Sequence, residues 1–192
     1  MHERLSSLVG AVGALIDTLE REGLPYAFGG AIALSAWSEP RATTDIDLNL
    51  WIEDPEIAGA AAVLARAGVT LDASTAVAQA DATGMFYGRH GDYRVDIFVP
   101  SIPFYAEALK RRRRVRLADR DTWVLSAECL TVFKMLFFRP KDLVDVARLL
   151  SIAGEGFDRG YVRHWLIETM GEDDLRVVRW DRLVAAPESV EE

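Results

Sequence analysis

The chain has 192 residues, half of them hydrophobic, with 22 basic residues against 30 acidic ones and a formal net charge of −8. That length suits one good core with a few added helices, and the acidic balance excludes a protein that grips nucleic acid over its whole surface, since phosphate neutralisation needs clustered cations. The single cysteine, Cys129, excludes an internal disulfide and a thiolate metal cluster. No apolar run reaches the roughly 18 residues of a membrane span, so a cytoplasmic protein with no membrane partner is expected.

In chain order, residues 3–22 place Leu5, Leu8, Val9, Val12, Leu15, Ile16 and Leu19 at helical spacing, with Gly23 as the stop. Residues 25–28 read as a short strand, Gly29-Gly30 as a tight junction, and residues 31–37 as a short helix ending before Pro40. Residues 43–52 alternate, with Thr44, Ile46, Leu48 and Leu50 on one face and Asp45, Asp47, Asn49 and Trp51 on the other, as a half-buried strand does. Pro55 opens an alanine-rich helix that Gly68 closes, and residues 69–81 show no usable period. Residues 85–87 and 93–99 flank the turn-rich 88–92 as a hairpin, its second strand carrying Asp96. Residues 103–112 are expected helical, 115–124 irregular or a short strand, and Ser126 caps a helix through Leu130, Phe133, Lys134 and Phe137. Further helices are expected from Pro140 to about 152, over 158–170 and over 172–183, with Trp165 and Trp180 as packing anchors. The acidic end, 186–192, reads as disordered.

Asp45 and Asp47 leave the same face of their strand roughly 7 Å apart. Two like charges so placed need cations, a metal or a solvent-facing edge, because uncompensated burial is costly. The plain alternative is the wet face of an edge strand. Three features favour a site. Gly29-Gly30 opens a helix whose exposed N–H groups could hold a phosphate. Asp96, in Val95-Asp96-Ile97-Phe98-Val99, supplies a third carboxylate. Hard divalent cations bind through a few carboxylates plus waters and phosphates, and a two-metal site needs such a cluster.

The ordered set Phe28-Gly29-Gly30, Arg41-Ala42-Thr43-Thr44-Asp45-Ile46-Asp47-Leu48, Arg94-Val95-Asp96-Ile97, Glu128 to Lys134 and Lys141-Asp142-Leu143-Val144-Asp145-Val146 resembles the nucleotidyltransferase superfamily of DNA polymerase β. Within it the sequence looks most like the AbiEii/MenT type of toxin-antitoxin nucleotidyltransferases. The resemblance covers about residues 26–150. It implies an α/β (α+β) fold, a small mixed β-sheet nucleotidyltransferase core over residues 1–125 with a helical C-terminal part over 126–185 packed on it as one unit. It also implies transfer of NMP from an NTP to an acceptor hydroxyl. Asp45, Asp47 and Asp96 would hold two Mg²⁺ ions, Asp96 would also take the acceptor proton, and Gly29, Gly30 and Lys134 would bind the triphosphate; Arg41, beside the acid pair, either only relieves carboxylate repulsion or contacts the substrate phosphate. Asp145 would orient Lys134 or the metal site, whereas Asp142 could be only a helix-dipole partner. One departure stands out: many relatives have Gly-Ser where this chain has Gly29-Gly30, and Ser35 lies too far along to substitute.

The run Lys110-Arg111-Arg112-Arg113-Arg114-Val115-Arg116 is by default a solvated helix end. With the toxin-like motif order it motivates an RNA acceptor, a tRNA 3′ end, with Arg111, Arg112, Arg113 and Arg114 as contacts and an antitoxin as partner. An aminoglycoside-like small molecule or a protein side chain is the alternative acceptor. A catalytically silent nucleotide-binding or interaction module is the third reading.

Overall fold

The computed structural model describes residues 7–52 and 56–185. The expected first turn from Glu3, the Pro55 helix start and the acidic tail lie outside the described residues. Helix α1 (Leu8–Glu22) is opened by Ser7, whose hydroxyl accepts from the Gly10 N–H, and closed by Gly23 at φ 68°, a left-handed cap that costs glycine nothing. Its Leu15 and Leu19 are fully buried, each contributing about 1.5–3 kcal/mol.

The strands β1 (Tyr26–Phe28), β2 (Asp45–Leu50), β3 (Met85–His90), β4 (Tyr93–Phe98), β5 (Arg113–Leu117) and β6 (Arg120–Val124) form one mixed sheet in the order β3-β4-β2-β1-β6-β5. Strand β2 is therefore interior, parallel to β4 and antiparallel to β1. The acid pair is not the wet face of an edge strand. Ile46, Leu48 and Leu50 point the other way and are fully buried.

Helix α2 (Gly30–Trp37) follows β1 directly, and Trp37 Nε1 donates to the Leu125 carbonyl at 2.8 Å. Helix α3 (Ile57–Arg66) packs against α1 and against α4 (Ala73–Thr83). The region without a usable period thus holds a helix. Asp72 caps it by accepting from Thr75 N, Gly84 closes it at φ 70°, and only Ala76 and Ala80 are buried, so its inward stripe is too small to register as apolar periodicity. The 85–99 hairpin is tighter than expected: β3 runs on to His90, and Gly91-Asp92 alone make the turn. Residues 113–124 form a second hairpin, with Ala118 at φ 52° in its turn.

Helix α5 (Phe104–Arg111) precedes β5, and α6 (Ala127–Phe137), α7 (Pro140–Ile152), α8 (Arg159–Met170) and α9 (Leu175–Ala185) complete the chain. Phe104 holds α5 to α6 and α8, its ring 5.1 Å from both Phe133 and Trp165. Trp180 is 1% exposed and lies in the same continuous buried cluster. Among the described residues no helix is long and apolar enough to cross a membrane.

Candidate active site

Parallel pairing of β2 with β4 sets Asp45 opposite Arg94 and Asp47 opposite Asp96. In-register partners on neighbouring strands share a face about 4.8 Å apart, so all three carboxylates emerge on one face, from two strands separated by nearly fifty residues of chain. They line a single cleft with Gly29, Gly30, Arg41, Lys134 and Asp142.

Gly29 and Gly30 sit where β1 turns into α2. The Gly29 N–H donates to the Asp47 carbonyl at 2.8 Å, and Gly30 has φ 49°. A Cβ on Gly30 would collide with the Asp47 carboxylate. A serine at position 30 would therefore have no room while Asp47 keeps this position. Ser35 is turned away, donating to the Ile32 carbonyl.

Burial, then the Asp96 carboxylate and, further out, Asp45, push the Asp47 carboxyl above its ordinary range, with Lys134 and Lys141 opposing. Lys134 is 4% exposed and donates from Nζ to Asp145 Oδ2 at 2.6 Å, with Asp142 Oδ1 at 3.6 Å. Arg41 closes on the same Asp145 with two bonds, 3.2 and 3.1 Å. Burial raises the Asp145 carboxyl, but the hydrogen bonds from Arg41 and Lys134 prevail and hold it below its usual range. Asp145 ties two cations of the cleft wall together. Asp142 is more than a dipole partner: it is buried, takes two bonds from Arg139 at 2.6 and 3.2 Å, and faces Lys134.

Arg139, Lys141 and Phe137 also line the cleft, and Arg94 donates from Nε to Asp96 Oδ1 at 2.6 Å. In the sequence Arg139 and Lys141 register only as scattered charge; Arg139-Pro140 at a helix start was the available signal. Arg94, two residues before Asp96 on one strand face, could have been found by the same alternation that paired Asp45 with Asp47.

The basic run is divided by the fold and is not a solvated helix end. Arg111 stacks on Tyr161 at 4.0 Å, and Arg112 stacks on Trp123 at 4.2 Å while donating to the Tyr26 carbonyl. Arg113 and Arg114 are exposed on β5, Arg114 also 5.7 Å from the Trp123 ring, at the sheet edge three strands from β2.

The three carboxylates fit a hard divalent cation by donor chemistry, and burial with the neighbouring Asp96 raises the Asp47 carboxyl, the cost of ionisation that a bound cation would offset. Among the described residues no three ligating side chains already converge in a coordination shell; Asp96 is turned to Arg94.

No family model matches the sequence, and no curated protein matches it significantly. Solved structures do share its fold. The solution structure of the antibiotic-resistance factor ANT(2″)-Ia aligns with TM-score 0.58 at 17% identity, covering 92% of this chain and 93% of that one. The crystal structure of ANT(2″)-Ia with adenylyl-2″-tobramycin aligns with TM-score 0.57 at 14% identity over 91% and 97% of the two chains. The lincosamide antibiotic adenylyltransferase LnuA, lincomycin-bound, aligns with TM-score 0.50 at 15% identity over 74% and 96%. The fold is thus a mixed-sheet α/β fold shared with nucleotidyltransferases.

Proposed function

We propose that the protein is a metal-dependent nucleotidyltransferase that moves a nucleoside monophosphate from a triphosphate to a hydroxyl of a small molecule. The observation that carries this reading is the in-register Asp47–Asp96 pair beside Asp45, packed next to the Gly29-Gly30 helix start in one cleft. Asp45, Asp47 and Asp96 would hold Mg²⁺, which when bound supplies charge neutralisation at the phosphates. The α2 N-terminus offers backbone N–H groups, and Lys134, Arg139 and Lys141 offer side-chain cations, to the β- and γ-phosphates. Asp96 would accept the proton of the acceptor hydroxyl as its oxygen bonds to the α-phosphorus and pyrophosphate departs. No covalent enzyme intermediate is needed, and much of the rate enhancement is positioning.

The small acceptor is favoured over the RNA 3′ end for two reasons. Arg111 and Arg112 are committed to aromatic rings inside the fold, leaving Arg113 and Arg114 at a remote sheet edge. The neighbours of the same fold include a protein solved with adenylyl-2″-tobramycin and a lincosamide adenylyltransferase. An RNA-modifying toxin with an antitoxin partner remains the second reading, carried by the order of the sequence motifs.

The test incubates the protein, and an Asp45→Ala, Asp47→Ala variant, with Mg²⁺, each α-labelled triphosphate and either aminoglycosides, lincosamides or total cellular RNA. Carboxylate-dependent label on a small molecule is expected. Label on a tRNA-sized band would replace the acceptor assignment, and absence of both labelling and triphosphate binding would refute the enzyme reading.

A further inference from the structure

Arg94 stands apart from the other cations near the carboxylates. Lys134 and Arg41 are tied to Asp145, and Arg139 to Asp142. Arg94 is bound to one of the proposed metal-binding carboxylates itself, Nε to Asp96 Oδ1 at 2.6 Å. It is also the register partner of Asp45, so its side chain rises from the same sheet face as the three acids. Its guanidinium lies 4.4 Å from the centroid of the Tyr87 ring, on the strand next door, a cation–π contact that holds it over the sheet. With its side chain 44% exposed, Arg94 has solvent beside it, which the buried Lys134 does not.

Resting on the metal-dependent reading above, we propose that Arg94 is a built-in counter-cation that competes with the divalent metal for Asp96 and so sets the metal concentration at which the site becomes complete. Without metal, Arg94 neutralises Asp96 and reduces the repulsion Asp47 feels from it across the strand pair. A divalent cation on Asp96 would meet the positive guanidinium at close range and repel it. Arg94 then moves to solvent along the Tyr87 ring, at small cost because its own end of the pair is 44% exposed. The Arg94–Asp96 bond thus stabilises the metal-free protein and opposes metal entry, an effect no purely structural arginine would have.

The experiment measures Mn²⁺ binding by electron paramagnetic resonance, with Mg²⁺ as competitor, on the full chain and on Arg94→Gln and Asp47→Asn. Arg94→Gln is expected to tighten the Mn²⁺ dissociation constant about threefold and to enlarge the rise in Tm that Mn²⁺ produces. Binding that Asp47→Asn abolishes but Arg94→Gln leaves unchanged or weakens overturns the role of Arg94 alone. No Mn²⁺ binding by the parent protein overturns the metal site and this role with it.

Discussion

Replacing Asp47 by asparagine should make the metal-free protein more stable while removing the proposed transferase activity. Asp47 and Asp96 are register partners, so their carboxylates stand roughly 5 Å apart, a repulsion of about 3 kcal/mol at an effective dielectric near 20. Lys134 opposes this at Asp47, Arg94 neutralises part of Asp96, and the cleft admits some solvent. A net gain of about 1–2 kcal/mol remains for the isosteric amide. For a chain of this size that corresponds to a Tm increase of about 4 °C. The pH dependence follows from the raised Asp47 carboxyl. A folded pKa above the unfolded one imposes a penalty at neutral pH, which is relieved as pH falls through the folded value and has vanished below the unfolded value of about 3.9. The advantage of Asp47→Asn in EDTA should therefore be larger at pH 7 than near pH 4, where it is gone. Thermal unfolding followed by circular dichroism at both pH values measures it. A variant less stable than the parent at pH 7 would show that Asp47 is already compensated, and the charge argument for a metal there would fall.

Asp145→Leu should cost about 3 kcal/mol in urea denaturation, because it strips Arg41 of both bonds and Lys134 of its shorter one. Lys134→Met should cost about half as much, since Asp145 keeps Arg41 and Asp142 keeps Arg139; equal costs would mean the network is not shared in this way. The lowered Asp145 carboxyl contributes stability that is present above about pH 4 and lost as pH falls through its folded value, so the Asp145→Leu deficit should shrink in acid. Gly30→Ala forces a side chain into positive φ, at about 1–2 kcal/mol, and against Asp47; calorimetry should find triphosphate binding lost, and intact binding would remove the glycine pair from the phosphate site. In the basic run, Arg111→Ala and Arg112→Ala should each lower stability by about 1 kcal/mol through lost ring stacking. Arg113→Glu, exposed and without a ring contact among those described, should stay within about 0.5 kcal/mol; the reverse ranking in melting experiments would contradict the division of the run by the fold.

Much of this protein is written locally. The alternation over Thr44 to Leu50, the Gly23 stop, the Ser126 cap and the spacing of Asp45 and Asp47 each depend on a few neighbouring residues, and a backbone period of 2 or 3.6 displays them directly. Helix α4 escaped because its buried contacts are two alanines, and the β5–β6 hairpin because a run of arginines hides the alternation of β5. What local pattern could not contain is pairing between distant elements. Only the strand order makes β2 interior, and only its parallel register with β4 sets Asp47 beside Asp96. Arg41 meets Asp145 across 104 residues of chain, and Arg111 and Arg112 turn inward because aromatic rings from α8 and β6 are waiting there. Residue chemistry and spacing determined which side chains could form a site; the packing of strands and helices decided which of them meet, because contacts between remote segments are selected by burial of the whole core and not by their own sequence.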